Sequence, residues 1–317
     1  MTAMRERFYE LAREALDEHE RVAVVTAQIG TDSIGDHPRH FDVGIREQLM
    51  IGVAAGLALE GYRPVVHSYT PFVVERPWEF LKLDLGHNDL GAVLVSTGAS
   101  YDAARGGRTH QAPEDVALVA ALPGWTIHVP GHPDELELLF RQSLPGDDRV
   151  YLRMSEEQNH ARVDGGGFSV LRRGSPGAPL VVAVGPTLRP VLEATAARDV
   201  SVAYLATVRP FPHDGVRGAL GNGTNIVLVE PYQAGTSASE IAVALRDRPH
   251  RLLALGVPNA EFRRYGTGAE HRAAHGLDAA GIARSIEEFL GHWNSFRKDH
   301  APTGCDGRVR EGRRERE

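Results

Sequence analysis

The sequence has a single cysteine, Cys305, set in a polar C-terminal stretch. A disulfide framework, a thiolate metal site and a redox cysteine pair within the chain are thereby excluded. The longest apolar run, residues 49–59, is too short to cross a bilayer. Basic residues are not in excess. With Lys+Arg at 35 and Asp+Glu at 42, the net charge of −7 leaves no electrostatic footprint for nucleic acid. No basic start followed by an apolar run and a small-residue cleavage site is seen, so a cytoplasmic protein is expected. Neither a P-loop nor a His-x-x-x-His metal pair is read in the sequence, and no metal site on this chain is expected. A dinucleotide fingerprint is missing too: "VVAVGPTLRP" (181–190) has only the first of its glycines.

What is present is a soluble, globular composition, 42% hydrophobic and 24% charged, over 317 residues. That length suffices for two domains. Short branched apolar runs, among them "RVAVVTA" (21–27), "RPVVHSY" (63–69) and "GAVLVST" (91–97), read as buried strands. "WTIHVP" and "RVYLRM" continue the set. Helical stretches at 2–20, 45–60, 71–85 and 113–122 alternate with them. A second alternating unit has strands at 180–184, 201–207, 225–230 and 251–256, with helices at 187–197, 237–246 and 278–291. The fold class expected is α/β, with two doubly wound, mostly parallel sheets. Domains are expected at 1–162 and 180–294, joined by a Gly- and Pro-rich linker at 163–179. The polar tail, 295–317, is expected to be disordered.

One helix poses a chemical problem. In "VGIREQLMIGVAAGLALEG" (43–61) the run after Gln48 is apolar or small, as if buried on every side, yet Glu47 stands at its start. Two readings are open. An acid in the first helical turn is favoured by the macrodipole by roughly 0.3–1 kcal/mol, and Gly52 and Gly56 would permit close backbone packing. Alternatively, a carboxylate desolvated by such neighbours needs a partner. Arg46 is poorly placed for that, because adjacent helical residues do not face each other.

"FDVGIREQLMIGVAAGLALEGYRPVVHSYTPF" resembles the pyrimidine-binding domain of the transketolase and 1-deoxyxylulose-5-phosphate synthase group of thiamine-diphosphate enzymes. "RTHQAPEDVALVAALPGWTIHVPGHPDEL" resembles that domain's active-site loop with the helix and strand after it. "VAYLATVRPFPHD", "VLVEPYQAG" and "YGTGAEHRAAHGLDAAGIARSIEEFL" resemble the group's C-terminal domain. The resemblance runs in order from about residue 5 to 291. It implies that Glu47 is the catalytic glutamate, bonding a ring nitrogen of the cofactor's aminopyrimidine and favouring the imino tautomer that deprotonates the thiazolium. It implies that Phe72 stacks on the aminopyrimidine, with Trp78 a second aromatic near it, and that His110 of "RTHQ" lies near the reacting atoms. Histidine suits proton transfer at neutral pH. His67, His128 and His132 match no motif and are read as structural.

The same resemblance marks what is missing. The Gly-Asp-Gly…Asn motif that holds the diphosphate and Mg²⁺ is not found, so another polypeptide is expected to carry it. A heterotetramer with two copies of each subunit is expected, this chain being inactive alone. At the substrate end, Gly106 and Arg108 stand where the group commonly has Asp and Pro. Near Arg153, Glu156 falls where a phosphate-binding Arg is usual. A carboxylate there would repel a phosphate dianion, with Arg76 or Arg108 as compensating cations. At least one non-phosphorylated substrate is therefore expected. The function implied is transfer of a two-carbon ketol or acyl unit. The alternatives are the beta subunit of a 2-oxo acid dehydrogenase's decarboxylating component, and a non-catalytic assembly or regulatory partner.

Overall fold

In the computed structural model, which describes residues 4–299, strands and helices alternate to build two sheets. The first six strands are β1 (Val22–Thr26), β2 (His40–Asp42), β3 (Arg63–Tyr69), β4 (Ala92–Thr97), β5 (Trp125–His128) and β6 (Arg149–Arg153). The next six are β7 (Phe168–Arg172), β8 (Leu180–Val184), β9 (Ser201–Leu205), β10 (Thr207–Arg209), β11 (Asn225–Gln233) and β12 (Arg251–Val257). The strand orders are β10-β5-β6-β4-β3-β1-β2 and β12-β11-β8-β9-β7. Among the described strands only β10 and β7, each at an edge, run antiparallel to their neighbours. β1 and β4 are buried at every position, as helix-covered parallel strands should be. The α/β class with two mostly parallel sheets is therefore as expected.

Several elements depart from the expectation for physical reasons. The stretch 163–179 is not merely a connection, because Phe168–Arg172 pairs with Ser201–Leu205 as an edge strand. The expected strand 201–207 is cut at Ala206, where the chain leaves one sheet and enters the other. Thr207 pairs with His128 of β5, and the His128 ring bonds the Thr207 hydroxyl at 2.9 Å. The expected helix 71–85 is broken around Pro77. Two wide-turn segments, Pro71–Glu75 and Leu81–His87, flank a short α-turn at Trp78–Phe80. Helices Pro133–Ser143 and Gly268–Ala274 were not expected; the second starts with a Thr267/Glu270 capping box. The last helix runs to Asp299, past the expected end at 291 and into the stretch expected to be disordered. Residues 300–317, with Cys305 and most of the expected tail, lie outside the described residues.

The apolar helix spans Glu47–Leu59. It buries Met50, Ile51, Ala54 and Ala55 against the first sheet, each large side chain being worth about 1.5–3 kcal/mol. It is not buried on every side of this chain: Leu49 and Leu59 are 49% and 70% exposed, and Ile45 before it is 66% exposed. Nor do its glycines serve close packing here. A Cβ at Gly56 would meet nothing within 4 Å, and one at Gly52 would come no nearer than 3.8 Å to Asp84.

Candidate active site

Three segments at the carboxyl ends of strands in the first sheet converge, the usual place for a ligand site in open α/β sheets. After β2, the turn 43–46 delivers Glu47 at the start of its helix. After β3 come Tyr69 at the strand end and Phe72 in the wide turn. After β4, the glycine-rich loop 98–110 ends on His110.

Glu47 is only 3% exposed. Its carboxylate accepts a 2.8 Å hydrogen bond from Arg76 Nη1, so within this chain Arg76, not Arg46, partners it. The Arg76 guanidinium carbon lies 3.8 Å from the centre of the Phe72 ring. Phe72 meets the His110 ring edge-to-face at 5.1 Å. The result is a continuous chain of contacts from carboxylate through guanidinium and phenyl ring to imidazole. Tyr69 completes it, 6.0 Å from Phe72 and 5.8 Å from His110. Sequence reasoning missed Tyr69, although it stands in the same "SYTPF" segment as Phe72.

The loop carrying His110 is shaped by glycine and tied down by charge. The His110 Nδ1 is 2.9 Å from the Thr109 hydroxyl. Gly106 lies so close that an added Cβ would sit 2.7 Å from the His110 ring. Gly107 has φ +71°, and a Cβ there would come 2.9 Å from the Tyr265 ring. Arg108 turns to its own loop and to the second unit. It donates to Gln111 O at 2.7 Å and to Glu114 at 2.6 Å, and pairs with Glu261 at 3.6 Å. Glu75, beside Arg76, was also missed. Burial, with Glu114 nearby, pushes its carboxyl up to about 7.

The other expected site residues fall elsewhere. Trp78 is half-buried and its indole N–H donates to Leu118 O at 3.1 Å, which makes it a strut to the Asp115–Ala120 helix. Arg153 is fully enclosed. Its Nε donates to Asp115 at 2.7 Å and its Nη2 to Ser100 at 2.6 Å, while Tyr151 OH donates to the same Asp115 oxygen at 2.6 Å. An arginine so committed ties the loop 98–110 to the Asp115–Ala120 helix. Glu156 is exposed, and its backbone N–H donates to Asp102 at 2.8 Å. Burial raises the Asp102 carboxyl to about 6. Arg153 and Asp102 border a separate cavity of about 260 Å³ between the two units, which Glu47, Phe72 and His110 do not line.

The histidines read as structural pack as such. His67 Nδ1 is 2.8 Å from Val95 O, His128 bonds Thr207, and His132 accepts the N–H of Asp134 at the start of a helix. Two His-x-x-x-His spacings do occur, at His128/His132 and at His271/His275, which corrects the expectation that there was none. The rings of His271 and His275 stack on Tyr101, at 4.3 and 5.0 Å. Among the described residues there is no group of three or more His, Cys, Asp or Glu that could hold a metal ion. No described helix is long and apolar enough to cross a membrane.

Two mostly parallel α/β units with a buried carboxylate beside an aromatic face define the class, and comparison with known proteins defines the family. Residues 2–160 match the model of the transketolase pyrimidine-binding domain. The chain is 49% identical, over 87% of its length and 91% of the other's, to an uncharacterized 33.6 kDa protein in the fasciation locus of Rhodococcoides fascians. It is 31% identical to the 6-deoxy-6-sulfo-D-fructose transketolase subunit of a Clostridium species, over 80% of this chain and 81% of that one. The 1-deoxy-D-xylulose-5-phosphate synthase of Magnetococcus marinus is also 31% identical, but this chain spans only 43% of its length. Among solved structures, one described as "Split gene transketolase, inactive beta4 tetramer" superposes with a TM-score of 0.77 at 24% identity, over 91% of this chain and 98% of that one. The chain belongs to the transketolase and 1-deoxyxylulose-5-phosphate synthase-like family of thiamine-diphosphate-dependent enzymes.

Proposed function

We propose that this chain is the catalytic, pyrimidine-binding subunit of a split transketolase-like enzyme. It would transfer a two-carbon ketol unit to an aldehyde or carbonyl acceptor. The observation that carries the reading is the convergence of Glu47, Phe72 and His110 at the strand ends, with Arg76 bridging the first two and the Phe72 and His110 rings in contact. A buried carboxylate beside a phenyl face fits an aminopyrimidine, and in this reading Glu47 bonds a ring nitrogen while Phe72 stacks on the ring. Thiamine diphosphate, when bound, supplies the electron sink that stabilises a carbanion. His110 then handles protons at the substrate oxygen.

The partner reading rests on two features. The Clostridium relative, which this chain covers to 81% of its length, is named as a transketolase subunit, and in this reading Mg²⁺ and the diphosphate would be held by a second subunit carrying the Gly-Asp-Gly…Asn motif. The helix that starts with Glu47 presents Leu49 and Leu59 to the outside, and the turn before it presents Ile45. An apolar face beside a catalytic group suits a subunit contact. We place the partner there, in an assembly of two copies of each subunit.

The substrate reading rests on the other end of the site. Arg153 is committed to Asp115, Glu156 stands where a cation would be needed, and Arg108 is engaged by Glu114. We infer that at least one substrate lacks the usual phosphate. The Clostridium relative is named for a sulfo sugar, which agrees with relaxation of phosphate recognition in this group. Names of that kind also favour ketol transfer over the decarboxylating role. The test is co-expression with a neighbouring subunit bearing the Gly-Asp-Gly…Asn motif. Bound thiamine diphosphate is then assayed, and phosphorylated and unphosphorylated ketoses and 2-oxo acids are screened. Ketol transfer by the pair and none by this chain alone is expected. Activity of this chain alone would contradict the split.

A further inference from the structure

Arg76 makes two contacts at once that bear on the cofactor reading above. Its Nη1 donates to Glu47 at 2.8 Å, and its guanidinium carbon lies 3.8 Å from the Phe72 ring centre. These are the two groups which, on that reading, would hold the aminopyrimidine. A guanidinium is planar, stacks on aromatic faces and donates N–H groups to a carboxylate. An aminopyrimidine is also planar and would present the same two elements. Both cannot lie against one face of Phe72 while bonding the same carboxylate oxygen.

We propose that Arg76 is a built-in placeholder for the aminopyrimidine: it covers Phe72 and neutralises Glu47 until the cofactor displaces it. The proposal rests on the assignment of Glu47 and Phe72 to that ring.

Local structure makes the exchange feasible. Arg76 ends the wide turn Pro71–Glu75, its N–H donating to Pro71 O at 3.1 Å, so its backbone stays fixed while the side chain moves. Its side chain is 42% exposed against 4% for Glu47, so the guanidinium has a solvated route out and the carboxylate has none. Withdrawal of the cation without replacement would leave Glu47 buried and unpaired, which is costly. Arg76 therefore leaves only as the ring enters. A charge-assisted hydrogen bond and a cation–π contact must be given up at that moment, so cofactor affinity is held down.

The test titrates the full-length chain with 4-amino-5-hydroxymethyl-2-methylpyrimidine, and separately the partner complex with thiamine diphosphate and Mg²⁺, by calorimetry. Arg76→Ala is expected to bind the pyrimidine about tenfold or more tightly than the unaltered chain. Arg76→Lys, which keeps the charge but loses the planar face, should fall between. Phe72→Ala added to Arg76→Ala should abolish the gain. Thermal melts of each variant show whether it is folded. Equal or weaker pyrimidine binding by folded Arg76→Ala overturns the proposal, since a residue that merely shapes the site would lose affinity on removal. If the unaltered complex nonetheless retains thiamine diphosphate, only the placeholder role fails. If it retains none and Arg76→Ala binds no pyrimidine, the cofactor reading fails with it.

Discussion

Arg153 and Asp115 form a salt bridge of 2.7 Å in a part of the protein closed to solvent, with both side chains 1% exposed or less. Tyr151 and Ser100 bond the same pair. Removing one member leaves the other charge buried and unpaired, which costs about 3–5 kcal/mol. Arg153→Met and Asp115→Asn should therefore each lower stability strongly in chemical denaturation. The double replacement by apolar residues of similar volume should cost less than the two single losses added together. A fully stable Arg153→Met with impaired substrate binding would instead favour a direct substrate role.

Gly106 stands against the His110 ring with no room for a Cβ. Restoring the acid usual in the family, Gly106→Asp, should push the imidazole away from Phe72. Turnover by the assembled enzyme should fall by roughly 10²-fold or more, the scale of a mispositioned general acid or base. Thermal stability should change little, because the loop is partly exposed. Unchanged kcat would separate His110 from the chemistry.

Three desolvated groups give stability a pH signature. Glu75, held up to about 7 by burial and by Glu114, binds its proton more tightly folded than unfolded. Its contribution is full below about 4.5 and is lost as pH rises through about 7. Glu75→Gln should thus raise stability at pH 8, by on the order of 1–2 kcal/mol, and leave it nearly unchanged at pH 4.5. His67 and His128 act in the opposite sense. Burial lowers each to about 4. Their contribution is present above about 6.5 and is lost as pH falls through about 4. Melting curves of Glu75→Gln, and of His67→Phe for the acid limb, would show each sign separately.

The exposed residues Ile45 and Leu49 flank Glu47. Leu49→Glu should leave the isolated chain folded yet block assembly with the partner subunit, read as loss of the larger species in sedimentation. Assembly at unchanged affinity would move the interface elsewhere.

How much was legible in the sequence depended on whether local residues or tertiary contact decided each feature. β1, β3 and β4 are continuous branched runs, and burial on both faces leaves few other ways to read them. The capping box at Thr267 and Glu270 is visible in the sequence and would have predicted the helix Gly268–Ala274. The switch of Thr207–Arg209 into the first sheet is not, because a seven-residue apolar run carries no mark of which sheet each half joins. At the site, motifs located Glu47, Phe72 and His110. They could not reveal that Arg76 bridges the first two, since that needs the wide turn after Pro71. Nor could they show that Arg153 is paired with Asp115, because a buried arginine and a substrate arginine look alike in sequence.

If Glu47 serves the aminopyrimidine of thiamine diphosphate, it must govern how fast the thiazolium ionises. That rate is read directly as exchange of the cofactor's C2 proton for deuterium, followed by NMR after acid quench, in the assembled enzyme and in its Glu47→Gln variant. Fast exchange is expected in the unaltered enzyme, and a rate lower by roughly 10²–10⁴ in the variant with the cofactor still bound. Equal rates in the two proteins would contradict the role given to Glu47.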